Sequence, residues 1–124
     1  MNTNRPVNLD IRTIRMPITA ISSILHRISG VVLFLALPYV LWMLSGVLGT
    51  ASEFNTVVAH TSSGLGKFML WAILSALSYH VIAGIRHLLM DVGIGETKQG
   101  GRTGAILVLL FSAVSFIAWG VWVW

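Results

Sequence analysis

The run Ile28-Ser29-Gly30-Val31-Val32-Leu33-Phe34-Leu35-Ala36-Leu37-Pro38-Tyr39-Val40-Leu41-Trp42-Met43-Leu44-Ser45-Gly46-Val47-Leu48 is 21 residues without a formal charge. A helix rises about 1.5 Å per residue, so this run spans roughly the 30 Å hydrocarbon core of a bilayer. Two more such runs follow. One fills the 18 positions between Lys67 and Arg86, with His80 inside it, and the other covers 103–124. Only helices or closed barrels satisfy their backbone polar groups within lipid. None of the three runs alternates as barrel strands do. The reading is an all-α membrane protein, one anchor domain over 1–124, with three transmembrane helices at about 22–49, 65–90 and 103–124.

Composition agrees. The chain has 124 residues, 56% of them hydrophobic and only 10% charged, with a mean hydropathy of +0.84. A soluble domain this small needs far more polar surface. An ordinary soluble domain, a disordered chain and a nucleic-acid-binding module are excluded. With no cysteine, disulfides, Cys-ligated zinc and Cys-ligated iron–sulfur clusters are excluded within the chain. The first span carries Ser22-Ser23 and His26-Arg27 at its entrance and is followed by two more, unlike a cleaved signal peptide. Pro17 suits a first helical turn, and Pro38 frees the carbonyl of Phe34 and predicts a kink. Gly93, Gly95, Gly100 and Gly101 predict a flexible second loop.

The basic residues predict orientation. Arg5, Arg12, Arg15 and Arg27 lead into the first span, and Arg86, Lys98 and Arg102 lie between the second and third. The loop over 49–64 has no Lys or Arg and one acid, Glu53. The positive-inside rule puts the N-terminus and second loop in the cytoplasm, and the C-terminus in the periplasm. Trp42, Trp71, Trp119, Trp122 and Trp124 all fall toward the outer ends. A cytoplasmic rim without Trp points to a protein partner docked there.

Ionisable groups at membrane depth are functional candidates. His80 lies roughly 15 Å from the cytoplasmic end of its helix. Ala76, Ala83, Gly84 and His87 share its face. The small residues leave a flat depression that would admit either a neighbouring helix or a macrocycle. The imidazole either ligates haem iron or stays neutral and hydrogen-bonds another helix. A second cluster, Ser23, His26 and Arg27, marks the mouth of the first helix. Arg27 alone would suit headgroup anchoring. The hydroxyl, imidazole and guanidinium together suit a carbonyl ligand that gains negative charge, such as a quinone entering from lipid. Tyr79 is read as packing, with donation across helices as the alternative, His60 as solvated, and Asp91 as an ion-pair partner beside Arg86 and His87.

Two motifs then resemble a known family. One opens with Arg5-Pro6-Val7 and ends with Ser23-x-x-His26-Arg27-x-Ser29. The other is His80-x-x-x-Gly84-Ile85-Arg86-His87-Leu88-x-Met90-Asp91-x-Gly93. Both are similar to signatures of the succinate dehydrogenase cytochrome b subunits, the larger membrane anchors of respiratory complex II. The resemblance covers residue 5 to the end of the third span, with hydrophobicity alone in the third helix. It implies a multi-pass subunit of a bacterial inner membrane that passes electrons to ubiquinone as part of succinate:ubiquinone oxidoreductase, with no catalysis by this chain alone. His80 would be an axial ligand to the iron of a b-type haem shared with a second small anchor subunit. His26, Arg27 and His87 would lie at the haem propionates, and Ser23 and Arg27 at the ubiquinone site. An iron–sulfur subunit would dock on the cytoplasmic face, beside a flavoprotein subunit. FAD and the iron–sulfur clusters would reside only in those partners. The competing readings are a quinol:fumarate reductase anchor, a haem-free structural anchor and a proton-conducting subunit using His80 and Asp91.

Overall fold

The computed structural model describes residues 9–10 and 13–124. Arg5, Arg12 and the Arg5-Pro6-Val7 motif lie outside the described residues. Four helices follow in order: α1 (Ile18–Val47), α2 (Ala51–Ser62), α3 (Gly64–Asp91) and α4 (Lys98–Val123). Helices α1, α3 and α4 are long and apolar enough to cross a membrane. They have 30, 28 and 26 residues, so each runs to roughly 40 Å or more. That exceeds a hydrocarbon core of about 30 Å, so their ends reach the headgroup layers.

Helix α3 runs antiparallel to both α1 and α4. Trp71 of α3 lies against Gly120 of α4, while Arg86 lies against Gly104. Gly30 of α1 meets His80, and Gly84 of α3 meets His26. One end of the bundle holds Arg15, Arg27, Arg86, Lys98 and Arg102. The other holds the five tryptophans.

Few large side chains are buried. The buried residues include Ser22, Ser29, Ala36, Gly46, Gly66, Ala83, Gly101, Ala105 and Val108, and the largest fully buried side chain is Ser22. Phe34, Leu35, Phe111, Val114 and Ile117 are exposed. Lipid tails are as apolar as leucine, so hydrophobicity does not drive such helices together. Small residues instead let backbones approach, and polar groups clasp one helix to the next.

Those clasps lie at both ends. At the aromatic end, Trp71 Nε1 donates to the Phe116 carbonyl (3.1 Å), and Trp119 Nε1 donates to Ser78 Oγ (2.8 Å). At the basic end, Arg86 Nη2 donates to the Gly101 carbonyl (3.2 Å). The guanidinium is thus turned to α4, and no Asp91–Arg86 bond forms among the described residues. Tyr79 Oη donates to the Ser22 carbonyl at 2.9 Å. Its hydroxyl therefore joins α3 to α1, which is the donation across helices that the sequence offered as the alternative to packing.

Helix ends follow local chemistry. Pro17 is the N-cap of α1, one position ahead of the expected first turn, and its carbonyl accepts from Ala20 and Ile21. Helix α1 runs unbroken through Pro38. Helix α3 stops in a Schellman arrangement. Gly93 N–H donates to the Met90 carbonyl and Ile94 N–H to that of Leu89, with Gly93 at φ 85°, a conformation glycine adopts cheaply. The connection shrinks to 92–97. Gly100 and Gly101 are not in the loop: Thr97 caps α4 by accepting from Gly100 N–H (3.0 Å), and both glycines lie in the first helical turn and a half.

Helix α2 replaces most of the expected first loop. Thr50-Ala51-Ser52-Glu53 forms a capping box. Thr50 N–H donates to Glu53 Oε2 (2.7 Å), and Glu53 N–H donates to Thr50 Oγ1 (3.4 Å). Such reciprocal bonds satisfy two donors that a helix start otherwise leaves bare. Val57 buries itself against Gly46. His60 is half-buried rather than solvated, with Nε2 3.1 Å from Tyr39 Oη and its ring edge-on to Trp42. Ser63 closes α2 and opens α3. Its Oγ donates to the His60 carbonyl (2.6 Å) and accepts from Gly66 N–H (3.1 Å).

Two predictions follow from this corner. A Cβ at Gly66 would collide with the His60 carbonyl, whereas Gly64 has nothing within 4 Å. Gly66→Ala should destabilise the protein by about 1–3 kcal/mol, and Gly64→Ala far less, read as the thermal midpoint of the detergent-solubilised assembly. Secondly, the Thr50 backbone N–H, then its side-chain bond, hold the Glu53 carboxyl below its ordinary value of 4.5. A depressed folded-state value gives stability that is full above the unfolded pKa and lost as pH falls through the folded one. Amide protection across α2 should drop in that acid window, and Glu53→Gln should remove the pH dependence.

Candidate functional site at the α1–α3 contact

Ser22, His26 and Ser29 recur at i, i+4 and i+7, so they form one stripe on α1. It faces Tyr79, His80, Ala83, Gly84 and His87 on α3. Close approach is possible because the positions between the helices are small. Ala83 is 1% exposed, Gly84 leaves only 3.6 Å between a notional Cβ and His26 Nε2, and a Cβ at Gly30 would sit 3.1 Å from His80 Cε1.

Three imidazoles meet there. The rings of His26 and His80 stack with centroids 4.2 Å apart and planes 17° from parallel. His26 and His87 lie 5.0 Å apart at 46°. Ser29 Oγ donates to the His26 carbonyl at 2.7 Å. His80 Nδ1 lies 3.0 Å from Ser29 Oγ and 3.2 Å from the His26 carbonyl oxygen.

These bonds fix the tautomer of His80. The Ser29 hydrogen is committed to the His26 carbonyl, and a carbonyl can only accept. Both neighbours of Nδ1 therefore present lone pairs, so Nδ1 carries the hydrogen and is the donor. The neutral ring then leaves Nε2 as a bare lone pair, the form in which imidazole binds metal. Nε2 forms no hydrogen bond among the described residues. His26 Nε2 is buried and also has no partner. Buried polar atoms without partners are uncommon and call for a ligand, water or ion.

A haem fits this donor set. One imidazole with its second nitrogen tied to the neighbouring helix, and an unpaired buried nitrogen beside it, suit a single bond to iron, whereas the small-residue face at Ala83 and Gly84 is filled by α1 rather than open to a macrocycle. No group of three or more His, Asp or Glu residues that could cage a bare metal ion occurs among the described residues.

The sequence cluster at the mouth of α1 divides between two faces. His26 turns to α3. Ser23 is half-buried and Arg27 is exposed, and neither side chain is hydrogen-bonded among the described residues. Arg27 does not join the imidazole stack. Ser22, Ser29 and Gly30 were not singled out as site residues. The i, i+4, i+7 polar stripe was the signal for the two serines, while the role of Gly30 needed the α3 partner to be known.

The chain is similar to known proteins over its full length. The family described as the succinate dehydrogenase/fumarate reductase transmembrane subunit matches residues 1–119. The chain is 42% identical, over the full length of both, to the succinate dehydrogenase cytochrome b556 subunit of Coxiella burnetii. The b556 subunit of Paracoccus denitrificans is 33% identical over 85% of this chain and 82% of that one. The cytochrome b560 subunit of Reclinomonas americana is 35% identical over 96% of this chain and 87% of its own. With three spanning helices, this is a multi-pass protein of a bacterial inner membrane. The chain belongs to the succinate dehydrogenase/fumarate reductase transmembrane subunit family, as one of its cytochrome b anchors.

Proposed function

We propose that the chain holds one side of a b-type haem through His80 and forms part of a ubiquinone-reduction site through Ser23 and Arg27. The observation that carries this reading is the fixed tautomer of His80, with Nδ1–H shared by Ser29 and the His26 carbonyl and Nε2 left for iron. When bound, haem supplies a one-electron store beside the quinone. A second small anchor subunit would supply the other histidine that holds the haem. His26, Arg27 and His87 offer hydrogen bonds and positive charge to the propionates.

The basic end faces the cytoplasm. Arg15, Arg27, Arg86, Lys98 and Arg102 lie there, and among the described residues Lys67 is the one Lys or Arg toward the other end, matching the positive-inside pattern. An iron–sulfur subunit docks on this face, next to a flavoprotein subunit that oxidises succinate. Ser23 donates its hydroxyl hydrogen to a quinone carbonyl oxygen. Arg27 keeps its charge at any physiological pH and stabilises the negative charge that grows on that oxygen as electrons arrive. Its exposed position leaves it open to a ligand entering from lipid at the headgroup level.

Arg27→Leu should lower quinone reduction by on the order of 100-fold, while succinate oxidation by an artificial acceptor persists. Equal loss of both activities would mean failed assembly and would contradict the role. His80→Leu should abolish or shift the bands in a reduced-minus-oxidised optical spectrum of the purified complex. An unchanged spectrum would remove His80 from the ligand set. No haem absorbance in the unaltered complex would favour a purely structural anchor.

A further inference from the structure

The Ser29 hydroxyl has no place in quinone binding. It is 7% exposed, lies on the α3-facing stripe, and forms no hydrogen bond with Ser23 or Arg27 among the described residues. We propose that Ser29 is a positioning residue that sets the electron-donor strength of His80 by accepting its Nδ1–H. The proposal rests on the haem reading above and adds a residue that acts only through the imidazole.

The geometry supports it in three ways. First, the Ser29 hydroxyl donates to the His26 carbonyl at 2.7 Å, which leaves its oxygen lone pairs for Nδ1–H at 3.0 Å. The hydroxyl thus bridges α1 backbone and α3 imidazole. Secondly, the second acceptor, the His26 carbonyl, is farther from Nδ1 at 3.2 Å. It also serves its own helix, so Ser29 is the stronger of the two. Thirdly, two further sides of the ring are fenced. His26 stacks on one face at 4.2 Å, and Gly30 approaches so closely that a Cβ would stand 3.1 Å from Cε1. The ring setting that Ser29 selects is therefore the one the helix contact permits.

An acceptor on the distal N–H of a metal-bound imidazole fixes its orientation and raises its basicity. A more basic ligand favours ferric over ferrous iron, so the bond lowers the haem midpoint potential. Second-shell hydrogen bonds are one of the levers a protein has on that potential. Without Ser29, the imidazole keeps only the longer bond to the His26 carbonyl and donates less charge.

The test uses the whole purified complex carrying Ser29→Ala, Ser29→Thr or Ser29→Cys, and measures the haem midpoint potential by optical titration. Ser45→Ala is the control: Ser45 Oγ also donates to a carbonyl three residues back, that of Trp42, at 2.8 Å, but meets no imidazole bound to iron. Ser29→Ala should raise the potential and weaken haem retention on the order of tenfold. Ser29→Thr, which keeps the hydroxyl, should restore the potential, and Ser45→Ala should leave it unchanged. If Ser29→Ala does not assemble, Ser29→Cys keeps the size with a weak acceptor and should shift the potential in the same direction. A wild-type potential in any assembled variant lacking the hydroxyl overturns the proposal. Absence of haem from the unaltered complex would overturn the underlying reading as well, and is told apart because it appears before any substitution is made.

Discussion

An imidazole buried in a membrane helix has no water to satisfy its two nitrogens. In this chain the neighbouring helix satisfies one of them and leaves the other bare. Ser29 and the His26 carbonyl take Nδ1–H of His80, and Nε2 remains as a lone pair. The contact asks much of the surrounding structure. It needs α1 and α3 close together, hence Gly30, Ala83 and Gly84 where larger residues would hold them apart. It needs their rotation fixed, which the Tyr79 hydroxyl on the Ser22 carbonyl supplies one residue away from His80.

Lipid explains why polar bonds recur between these helices. Apolar side chains gain little by leaving lipid for a protein interior, so interhelical contact depends on close backbones and on donors finding acceptors. Trp71 and Trp119 clasp α3 to α4 at the aromatic end. Arg86 does so at the basic end, across the small surface of Gly101 and Gly104. Tyr39 and His60 tie α1 to α2. Much of the large apolar surface stays outward, where lipid or the helices of a companion subunit meet it.

The three membrane helices were legible because a charge-free run of about 20 residues has one physical meaning in a chain this apolar. Their limits were less so. Lys98, Gly100 and Gly101 read as loop, yet the Thr97 hydroxyl cap holds them in α4. Helix α2 was missed although Thr50-Ala51-Ser52-Glu53 carries the capping-box pattern, because a search for long apolar runs passes over a short polar helix. Its His60 was consequently taken as solvated. At the site, His26, His80 and His87 stood out as ionisable groups in an apolar chain, and they do meet. The partners of Ser22, Ser29 and Tyr79 could not be read, since a hydroxyl declares its partner only when the opposing helix is in place. Ser23 and Arg27 remain on the flank of the imidazole stack, with no hydrogen bond from either side chain among the described residues.

The central claim is that His80 offers Nε2 to haem iron while Ser29 holds Nδ1. A high-resolution structure of the intact complex, with its partner subunits and native cofactors, tests it most directly. The account predicts iron bonded to His80 Nε2, with Nδ1 still within hydrogen-bonding distance of Ser29 Oγ and the His26 carbonyl. Iron bound through Nδ1, or a His80 ring paired only with protein groups beside a porphyrin ligated elsewhere, would contradict it.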